Sequence, residues 1–255
     1  MNDEIINADF KDYEQYEVGK FDLLLSDIPY ALGSAADGSN PMWYKKGDNK
    51  KGVSELAGQP FFQTDGDFDL GSYARVCAAL LKPSTGKPGE DGCVITFCSF
   101  EQQVLLISVM KEHGFKGYIP LSFVKKSSPQ ALKANQRYCG ATEHAIVSYR
   151  GKLPLWRNGR QMVLDWMPWL AKEQTRLHPT QKPQALMEEL IRLHTKPGMR
   201  VCDLTCGSGT TCAAAKHLNR HYLGFEIDST FAKLTRQRCT GETTVMDLLE
   251  TLEAA

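Results

Sequence analysis

The alternation of apolar and polar positions along the chain predicts strands and helices that follow one another. Residues 21–26 form a short apolar run that ends in a polar turn containing Pro29, a pattern typical of a strand buried on both faces. Apolar residues then recur at helical spacing over residues 70–81, and Lys82-Pro83 ends that pattern. Repeated units of this kind favour an α/β fold with a mainly parallel sheet and helices on both faces.

The later part of the chain continues this alternation. Strands are predicted at residues 93–98, 118–124, 144–149, 200–204 and 222–226. Helices are predicted at residues 101–113, from Pro183 to the Lys196-Pro197-Gly198 turn, at residues 210–218 and after Asp228-Ser229. We expect one antiparallel hairpin in this otherwise parallel sheet.

The length of the chain bounds its domain organisation. A chain of 255 residues can bury one sizeable core, so a single catalytic domain spanning the whole chain is expected. Residues 31–68 are rich in Gly, Ser, Asp, Asn and Lys and show no period, which predicts a long loop insertion. Residues 151–177 carry Trp156, Trp166 and Trp169 among basic side chains and are interpreted as a small separate excursion.

Composition indicates a folded protein that does not enter a membrane. Hydrophobic residues make up 42% of the chain and charged residues 24%, both ordinary for a globular domain. No apolar stretch reaches the length of a membrane-spanning helix, and the first residues lack the features of a signal peptide, so we expect a cytoplasmic protein. The eight cysteines show no CxxC pair and fall mostly in apolar segments, which predicts reduced structural thiols rather than a zinc site.

Charge is unevenly distributed although the formal net charge is zero. Residues 1–124 hold 11 basic and 18 acidic side chains, whereas residues 125–182 hold 11 basic and 3 acidic ones, a balance of +8. Because affinity for phosphates follows local charge, the middle of the chain is a candidate contact for a polyanion. A solvated basic surface explains the same count equally well.

The clearest sign of a ligand is a glycine turn between a predicted strand and a predicted helix. Its sequence is Asp203-Leu204-Thr205-Cys206-Gly207-Ser208-Gly209-Thr210. Backbone amides and the missing Cβ atoms let a nucleotide-like ligand approach such a turn closely, and Glu226 at the end of the next strand can accept hydrogen bonds from both ribose hydroxyls. The turn lacks the full GxGxxG and GK[ST] patterns, which argues against a dinucleotide and a nucleoside triphosphate. A glycine pair can also serve only as a tight turn, and Asp203 or Asp228 can be purely structural.

Two further motifs make the chain resemble a known family. They are Ser26-Asp27-Ile28-Pro29-Tyr30, which follows the first apolar run, and His178-Pro179-Thr180-Gln181-Lys182-Pro183. With the glycine turn, they resemble the motifs of S-adenosylmethionine-dependent DNA amino-methyltransferases. The Asp27 motif precedes the basic middle and the glycine turn follows it, which is the circularly permuted order of the β class. The resemblance implies a Rossmann-like methyltransferase fold and a homodimer.

The resemblance also implies roles for particular residues. The cofactor, S-adenosylmethionine, is expected to contact the following residues: Asp9, Phe10, His178, Thr180, Lys182, Pro183, Asp203, Gly207, Ser208, Gly209, Thr210 and Glu226. Asp9 and Phe10 would lie near its adenine, and the residues from 178 to 183 would line its methionine side. In the catalytic loop, Asp27 and the Ile28 carbonyl would accept hydrogen bonds from the target amino group, Pro29 would hold the turn and Tyr30 would stack on the base.

DNA is the partner that the resemblance implies. Candidate phosphate contacts are Lys125, Lys126, Lys133, Arg137, Arg157 and Arg160, and candidate stacking or wedge groups are Trp43, Tyr44 and Trp156. Residues 151–177 would be the target-recognition segment. Because this segment is short, we expect a brief recognition site or a weak sequence preference.

Several functions remain open from the sequence. Adenine N6-methylation is preferred because Asp27 is the more usual residue for adenine, and cytosine N4-methylation is the alternative with the same chemistry. Related enzymes whose motif begins with asparagine modify protein glutamine or RNA. Ile28 replaces the usual first proline of the motif, so a DNA-binding module without catalysis is another reading. The hypothesis of a nicotinamide oxidoreductase is supported only by the glycine turn and Glu226.

Overall fold

A computed structural model describes residues 3–30, 68–126, 140–157, 159, 162–170 and 181–241. Their strands are β1 (Glu4–Asn7), β2 (Leu23–Asp27), β3 (Cys93–Phe97), β4 (Gly117–Val124), β5 (Thr142–Tyr149), β6 (Trp166–Pro168), β7 (Arg200–Asp203) and β8 (His221–Glu226). The helices are α1 (Leu70–Leu80), α2 (Phe100–Glu112), α3 (Gln184–His194), α4 (Thr210–His217) and α5 (Ser229–Thr240), with a short 3-10 helix at Phe10–Gln15. Most of the predicted loop insertion and residues 171–180 lie outside this part of the chain.

All eight strands belong to one sheet in the order β1-β8-β7-β2-β3-β5-β4-β6. The five strands from β1 to β3 in this order run parallel to one another. Strand β5 is antiparallel to both β3 and β4, and β6 is parallel to β4. The expectation of a mainly parallel sheet with one antiparallel hairpin is confirmed.

The central strands are apolar on both faces because helices cover both sides of the sheet. Leu23 and Leu25 of β2 belong to a core cluster that also contains Leu186 and Leu190 of α3. Leu24, between them, points to the opposite cluster, which contains residues of α1 and α2. Each fully buried side chain of this kind stabilises the fold by about 1.5–3 kcal/mol. This two-sided burial explains why residues 21–26 show a continuous apolar run.

Polar side chains cap the starts of several helices. The side chain of Asp69 accepts hydrogen bonds from two backbone amides at the start of α1, and Asp228 does the same for α5. Ser99 and Gln102 form a reciprocal capping box at the start of α2. Each such cap contributes about 1 kcal/mol to the stability of the fold and fixes the residue at which the helix begins. Pro183 lies one residue before α3 rather than within its first turn.

The topology creates a crevice between β7 and β2. The chain passes from β7 to β8 on one side of this boundary and from β2 to β3 on the other. Ligands of doubly wound sheets bind at such a switch point, outside the carboxyl ends of the strands. The loops after β2 and β7 are the two that carry the Asp27 motif and the glycine turn.

Two edge strands were not predicted. Strand β1 pairs with β8, and β6 pairs with β4, so three residues of the predicted excursion at 151–177 extend the main sheet. The carboxyl ends of β4 and β6 and the amino end of β5 lie at the same edge as the crevice. Among the described helices, none has the length and apolar character needed to cross a bilayer.

Candidate active site

The Asp27 loop is held by hydrogen bonds at two successive residues, Ile28 and Pro29. The Ile28 amide donates to the Phe97 carbonyl at 3.2 Å, and the Pro29 carbonyl accepts from Gln102 Nε2 at 2.7 Å. The side chain of Ile28 is 2% exposed and belongs to the core cluster beneath α1 and α2. Burial of this side chain and the two hydrogen bonds fix the loop where a second proline is absent.

The Asp27 carboxylate has one partnered and one open oxygen. Lys182 Nζ donates to Oδ2 at 2.8 Å, whereas buried Oδ1 has no hydrogen-bond partner among the described residues. Burial raises the pKa of Asp27, and the Lys182 ammonium opposes that rise. An unpartnered buried acceptor is costly, so its presence points to a ligand donor at this place.

A cluster of four side chains surrounds this carboxylate. Glu143 Oε2 accepts from the Tyr30 hydroxyl at 2.8 Å and lies 3.6 Å from Lys182 Nζ. Glu143 Oε1 accepts from Lys125 Nζ at 2.5 Å. Lys182 Nζ also lies 5.0 Å from the centre of the Tyr30 ring. Glu143 was not among the predicted site residues, and it connects three that were.

The charges of this cluster stabilise one another. Burial by itself would raise the pKa of Glu143, but the ammonium groups of Lys182 and Lys125 lower the pKa to about 2. Burial likewise opposes the charged form of Lys182, whereas Asp27 and Glu143 raise its pKa. Glu143 and Lys182 are therefore ionised at neutral pH. The cluster offers fixed charge beside the open Asp27 oxygen.

The glycine turn presents an open face at Gly207. Its φ is +52°, and a Cβ built there meets no described atom within 4 Å. Its amide donates to Glu226 Oε2 at 2.7 Å, and Glu226 Oε1 accepts from the Asp228 amide at 2.9 Å. Glu226 thus holds the turn at the end of β8. Open space beside a backbone amide and a carboxylate suits a ribose-bearing ligand.

Gly209, two residues later, is required by packing instead. Its φ is +74°, and a Cβ there would lie 2.3 Å from Thr235 Cγ2. The side chains of Ser208 and Thr210 are buried: Ser208 Oγ donates to Gln181 Oε1 at 3.4 Å, and Thr210 Oγ1 accepts from Arg238 at 3.3 Å. These partners anchor the turn, and the cofactor contacts of Ser208 and Thr210 stay predictions.

This difference between the two glycines predicts a stability effect. We expect Gly209→Ala to lower the free energy of unfolding by about 2–4 kcal/mol, because the new methyl clashes with Thr235 and the backbone is left-handed. For a chain of this size that corresponds to a fall of roughly 5–15 °C in Tm, measured by calorimetry. Gly207→Ala is the matched control, because its backbone is also left-handed but the new methyl meets no clash. We expect it to lower the free energy of unfolding by about 1 kcal/mol. Equal losses in the two variants would contradict the packing role of Gly209.

The two loops meet directly across the crevice. Thr205 Oγ1 donates to the Asp27 carbonyl at 3.1 Å, and the Leu204 amide donates to Ser26 Oγ at 3.0 Å. Asp203, at the end of β7, is 3% exposed, and its burial raises its pKa to about 7. The loop that would hold an amino group and the loop that would hold a cofactor therefore share one crevice.

The first predicted cofactor segment lies at the same edge of the sheet. Asn7 Nδ2 donates to the Glu226 carbonyl at 2.8 Å, because β1 runs beside β8. Asp9 caps the 3-10 helix through the Lys11 amide, and Phe10 is buried against Tyr73 with ring centres 6.1 Å apart. The edge position agrees with the expected place of Asp9 and Phe10 near a cofactor, and their contacts with it stay predictions.

The basic candidates are divided between two edges of the sheet. Lys125 lies in the crevice, paired with Glu143, and Lys126 beside it is exposed. The Trp156 amide instead donates to the Leu193 carbonyl at the end of α3, which places Trp156 and Arg157 at the edge opposite Asp27. Trp156 is therefore not positioned to stack on a base held by that loop. The remaining candidates lie outside the described residues: Trp43, Tyr44, Lys133, Arg137, Arg160, His178 and Thr180.

The fold and the crevice together define a class of binding site. A doubly wound sheet with a ribose-suited glycine turn and an acceptor-bearing loop at its switch point is a Rossmann-like binding site for a nucleotide-type ligand. A family model described as a DNA methylase, covering N6 and N4 enzymes, matches residues 21–237. The chain belongs to this family of S-adenosylmethionine-dependent DNA methyltransferases.

Individual relatives agree with this assignment. The type II methyltransferase M2.DpnII of Streptococcus pneumoniae is 25% identical over 93% of this chain and 90% of its own length. The crystal structure of M1.HpyAVI in complex with SAM superposes with a TM-score of 0.65 and 26% identity, over 92% of this chain and 98% of that one. The cytosine-N4-specific PvuII DNA methyltransferase shares the fold, with a TM-score of 0.68 and 18% identity over 98% and 91% of the chains. Family members use S-adenosylmethionine as cofactor.

Proposed function

We propose that this enzyme transfers a methyl group from S-adenosylmethionine to the exocyclic N6 of adenine in DNA. The observation that carries the proposal is the open Oδ1 of Asp27, a buried acceptor in a loop hydrogen-bonded to the glycine turn. The Ile28 carbonyl beside it also receives no hydrogen bond from a described residue. Two adjacent acceptors match the two hydrogens of an amino group.

The residues of the crevice fit the cofactor. The open face of Gly207 and the Glu226 carboxylate would hold its ribose, and Asp9 and Phe10 would lie toward its adenine. The methionine part would lie toward Asp203 and the segment that contains His178, Thr180, Lys182 and Pro183. When bound, the cofactor supplies an electrophilic methyl group on a sulfonium sulfur.

The chain contributes positioning and fixed charge to the reaction. An exocyclic amine conjugated with its ring is a poor nucleophile, so Asp27 Oδ1 and the Ile28 carbonyl would accept its two N–H groups and aim the nitrogen lone pair. Tyr30 would stack on the flipped base, a contact worth about 1–3 kcal/mol that offsets part of the cost of flipping. Lys182 holds Asp27 Oδ2, so the carboxylate has one defined orientation. Prealigned acceptors of this kind account for large rate effects without a covalent intermediate.

The target base is the finer part of the proposal. Aspartate at the first position of this motif, here Asp27, is commoner in adenine enzymes. The same two acceptors would also suit the amino group at N4 of cytosine. Lys126, Lys133, Arg137 and Arg160 would contact DNA phosphates. We also propose that residues 151–177 recognise only a short sequence.

Product identification tests this proposal. The enzyme is incubated with methyl-tritiated cofactor and several unrelated DNA duplexes, with RNA and a glutamine-rich protein as parallel substrates, and the labelled product is digested and analysed by mass spectrometry. We expect N6-methyladenine from DNA alone. N4-methylcytosine would overturn the base assignment, and cofactor binding without transfer to any substrate would favour a DNA-binding module. Strict dependence on one long site would contradict the short recognition sequence.

A further inference from the structure

Glu143 reaches the crevice because β5 runs against the parallel strands. Strand β5 lies between β3 and β4 and is antiparallel to both, so the amino end of β5 lies beside the carboxyl ends of those strands. Glu143 and Ala145 are two residues apart and therefore point to the same face, where Ala145 packs in the core cluster with Phe97. That face is also covered by α3, whose preceding residues bring in Lys182. The topology thus brings into the crevice a carboxylate that was not among the predicted site residues.

Glu143 contacts groups from three other segments of the site. Its Oε2 accepts from the Tyr30 hydroxyl of the Asp27 loop and lies near Lys182, and its Oε1 pairs with Lys125 after β4. The side chains of Glu143 and Lys125 are each 18% exposed, and that of Lys182 is 6% exposed. A carboxylate with this little solvent and three charged or hydroxyl partners is held in one place.

The position of Lys182 between two carboxylates has a consequence for Asp27. Lys182 Nζ is 2.8 Å from Asp27 Oδ2 and 3.6 Å from Glu143 Oε2, so its charge is shared unequally between them. Without Glu143, the ammonium would have Asp27 as its one carboxylate neighbour among the described residues and could move toward Oδ1. The Tyr30 ring would also lose the hydrogen bond that orients its hydroxyl.

We propose that Glu143 is a positioning residue for methyl transfer, orienting the Tyr30 ring for stacking and holding Lys182 on Oδ2 so that Asp27 Oδ1 stays available to the amine. This inference rests on the proposed function. Glu143 does not touch the substrate; it acts through Tyr30 and Lys182. Lys125 neutralises Glu143 from the other side and so belongs to this arrangement rather than to the phosphate contacts.

The test compares Glu143→Gln with wild type on a duplex that the wild type methylates. Glutamine keeps the size and one acceptor oxygen but removes the charge, so we expect kcat to fall about tenfold or more with KM for the cofactor within about twofold. Glu188→Gln is the matched control, because Glu188 is a buried glutamate ion-paired with Arg192 on α3, outside the crevice. We expect that variant to keep the wild-type kcat.

Tyr30→Phe separates positioning from folding. It removes only the hydroxyl, which donates to Glu143 and also lowers the pKa of Asp27, and we expect kcat to fall several-fold. Because the two residues act together, the double variant Glu143→Gln/Tyr30→Phe should lose less than the product of the two single effects. If Glu143→Gln does not fold, the fall in kcat of Tyr30→Phe alone carries the test.

The outcomes distinguish this inference from the proposed function. No methyl transfer by the wild type would overturn the proposed function and this inference with it. If the wild type is active and kcat is unchanged in Glu143→Gln, this inference alone is overturned. If Glu143→Gln does not fold, an unchanged kcat in Tyr30→Phe overturns it in the same way. Independent, fully multiplicative losses in the double variant, or an equal loss in Glu188→Gln, would also overturn it.

Discussion

Asp27→Ala should abolish methyl transfer while leaving the affinity for S-adenosylmethionine nearly unchanged. Removing the carboxylate takes away the open Oδ1 acceptor, and the loss of one prealigned hydrogen-bonding group from an active site lowers kcat by about 100- to 1000-fold. The glycine turn keeps its own anchors, because Glu226 and Thr235 hold Gly207 independently of Asp27. Turnover is measured with labelled cofactor, and cofactor affinity by calorimetry.

Lys182 decides whether this variant remains folded. Breaking a buried ion pair by removing one partner is usually destabilising, but Glu143 remains 3.6 Å from the ammonium and can take over the pairing. Asp27→Asn is the matched control, since it keeps the shape and one acceptor oxygen, and we expect it to retain more activity than alanine. Full activity in Asp27→Ala would remove this residue from the mechanism.

Gly207→Val should produce the opposite pattern, a loss of cofactor binding. The valine side chain would occupy the open face of the turn, which no described atom fills, so we expect the Kd for S-adenosylmethionine to rise about 100-fold or more. Calorimetric titration of the folded variant measures this directly.

The control for Gly207→Val must carry the same backbone strain. Gly198 has φ +81° and open space around its Cα, and it lies in the turn between α3 and β7, away from the crevice. Gly198→Val therefore places the same side chain on a left-handed backbone. It should lower the free energy of unfolding by about 1–2 kcal/mol without reaching a ligand. Unchanged cofactor affinity in Gly207→Val, or an equal loss in Gly198→Val, would contradict the role of the turn.

Local patterns were sufficient to predict the central elements and both loops of the crevice. Leu23, Leu24 and Leu25 of β2 are all buried because the strand is covered on both faces, and the turns after β2 and β7 owe their shape to residues inside the motifs themselves. Gly207 and Gly209 both adopt positive φ, as a glycine turn requires. The switch point depends on the order of the strands in the sheet, which the local patterns do not give.

Features that depend on pairing between distant segments could not be predicted. β1 has only four residues, with Ile5 and Ile6 both buried, and its strand conformation depends on pairing with β8. Glu143 enters the crevice only because β5 is antiparallel, and a count of charges cannot show that Lys125 is paired with it. The place of Trp156 likewise depends on its contact with the end of α3.

The departure at Ile28 has a structural explanation that composition does not give. A proline would fix φ at this position, whereas isoleucine is held by its buried side chain and by its amide hydrogen bond to Phe97. The carbonyl that would accept from the amine is unaffected by the side chain. The loop therefore keeps both of its proposed acceptors.

A crystal structure of the enzyme with S-adenosylhomocysteine and a DNA duplex tests the central claim most directly. The account predicts the ribose beside Gly207 and Glu226, the sulfur facing the Asp27 loop, and a flipped base whose amino nitrogen lies within about 3 Å of Asp27 Oδ1. A cofactor bound elsewhere on the sheet, or a base amino group turned away from Asp27, would contradict it.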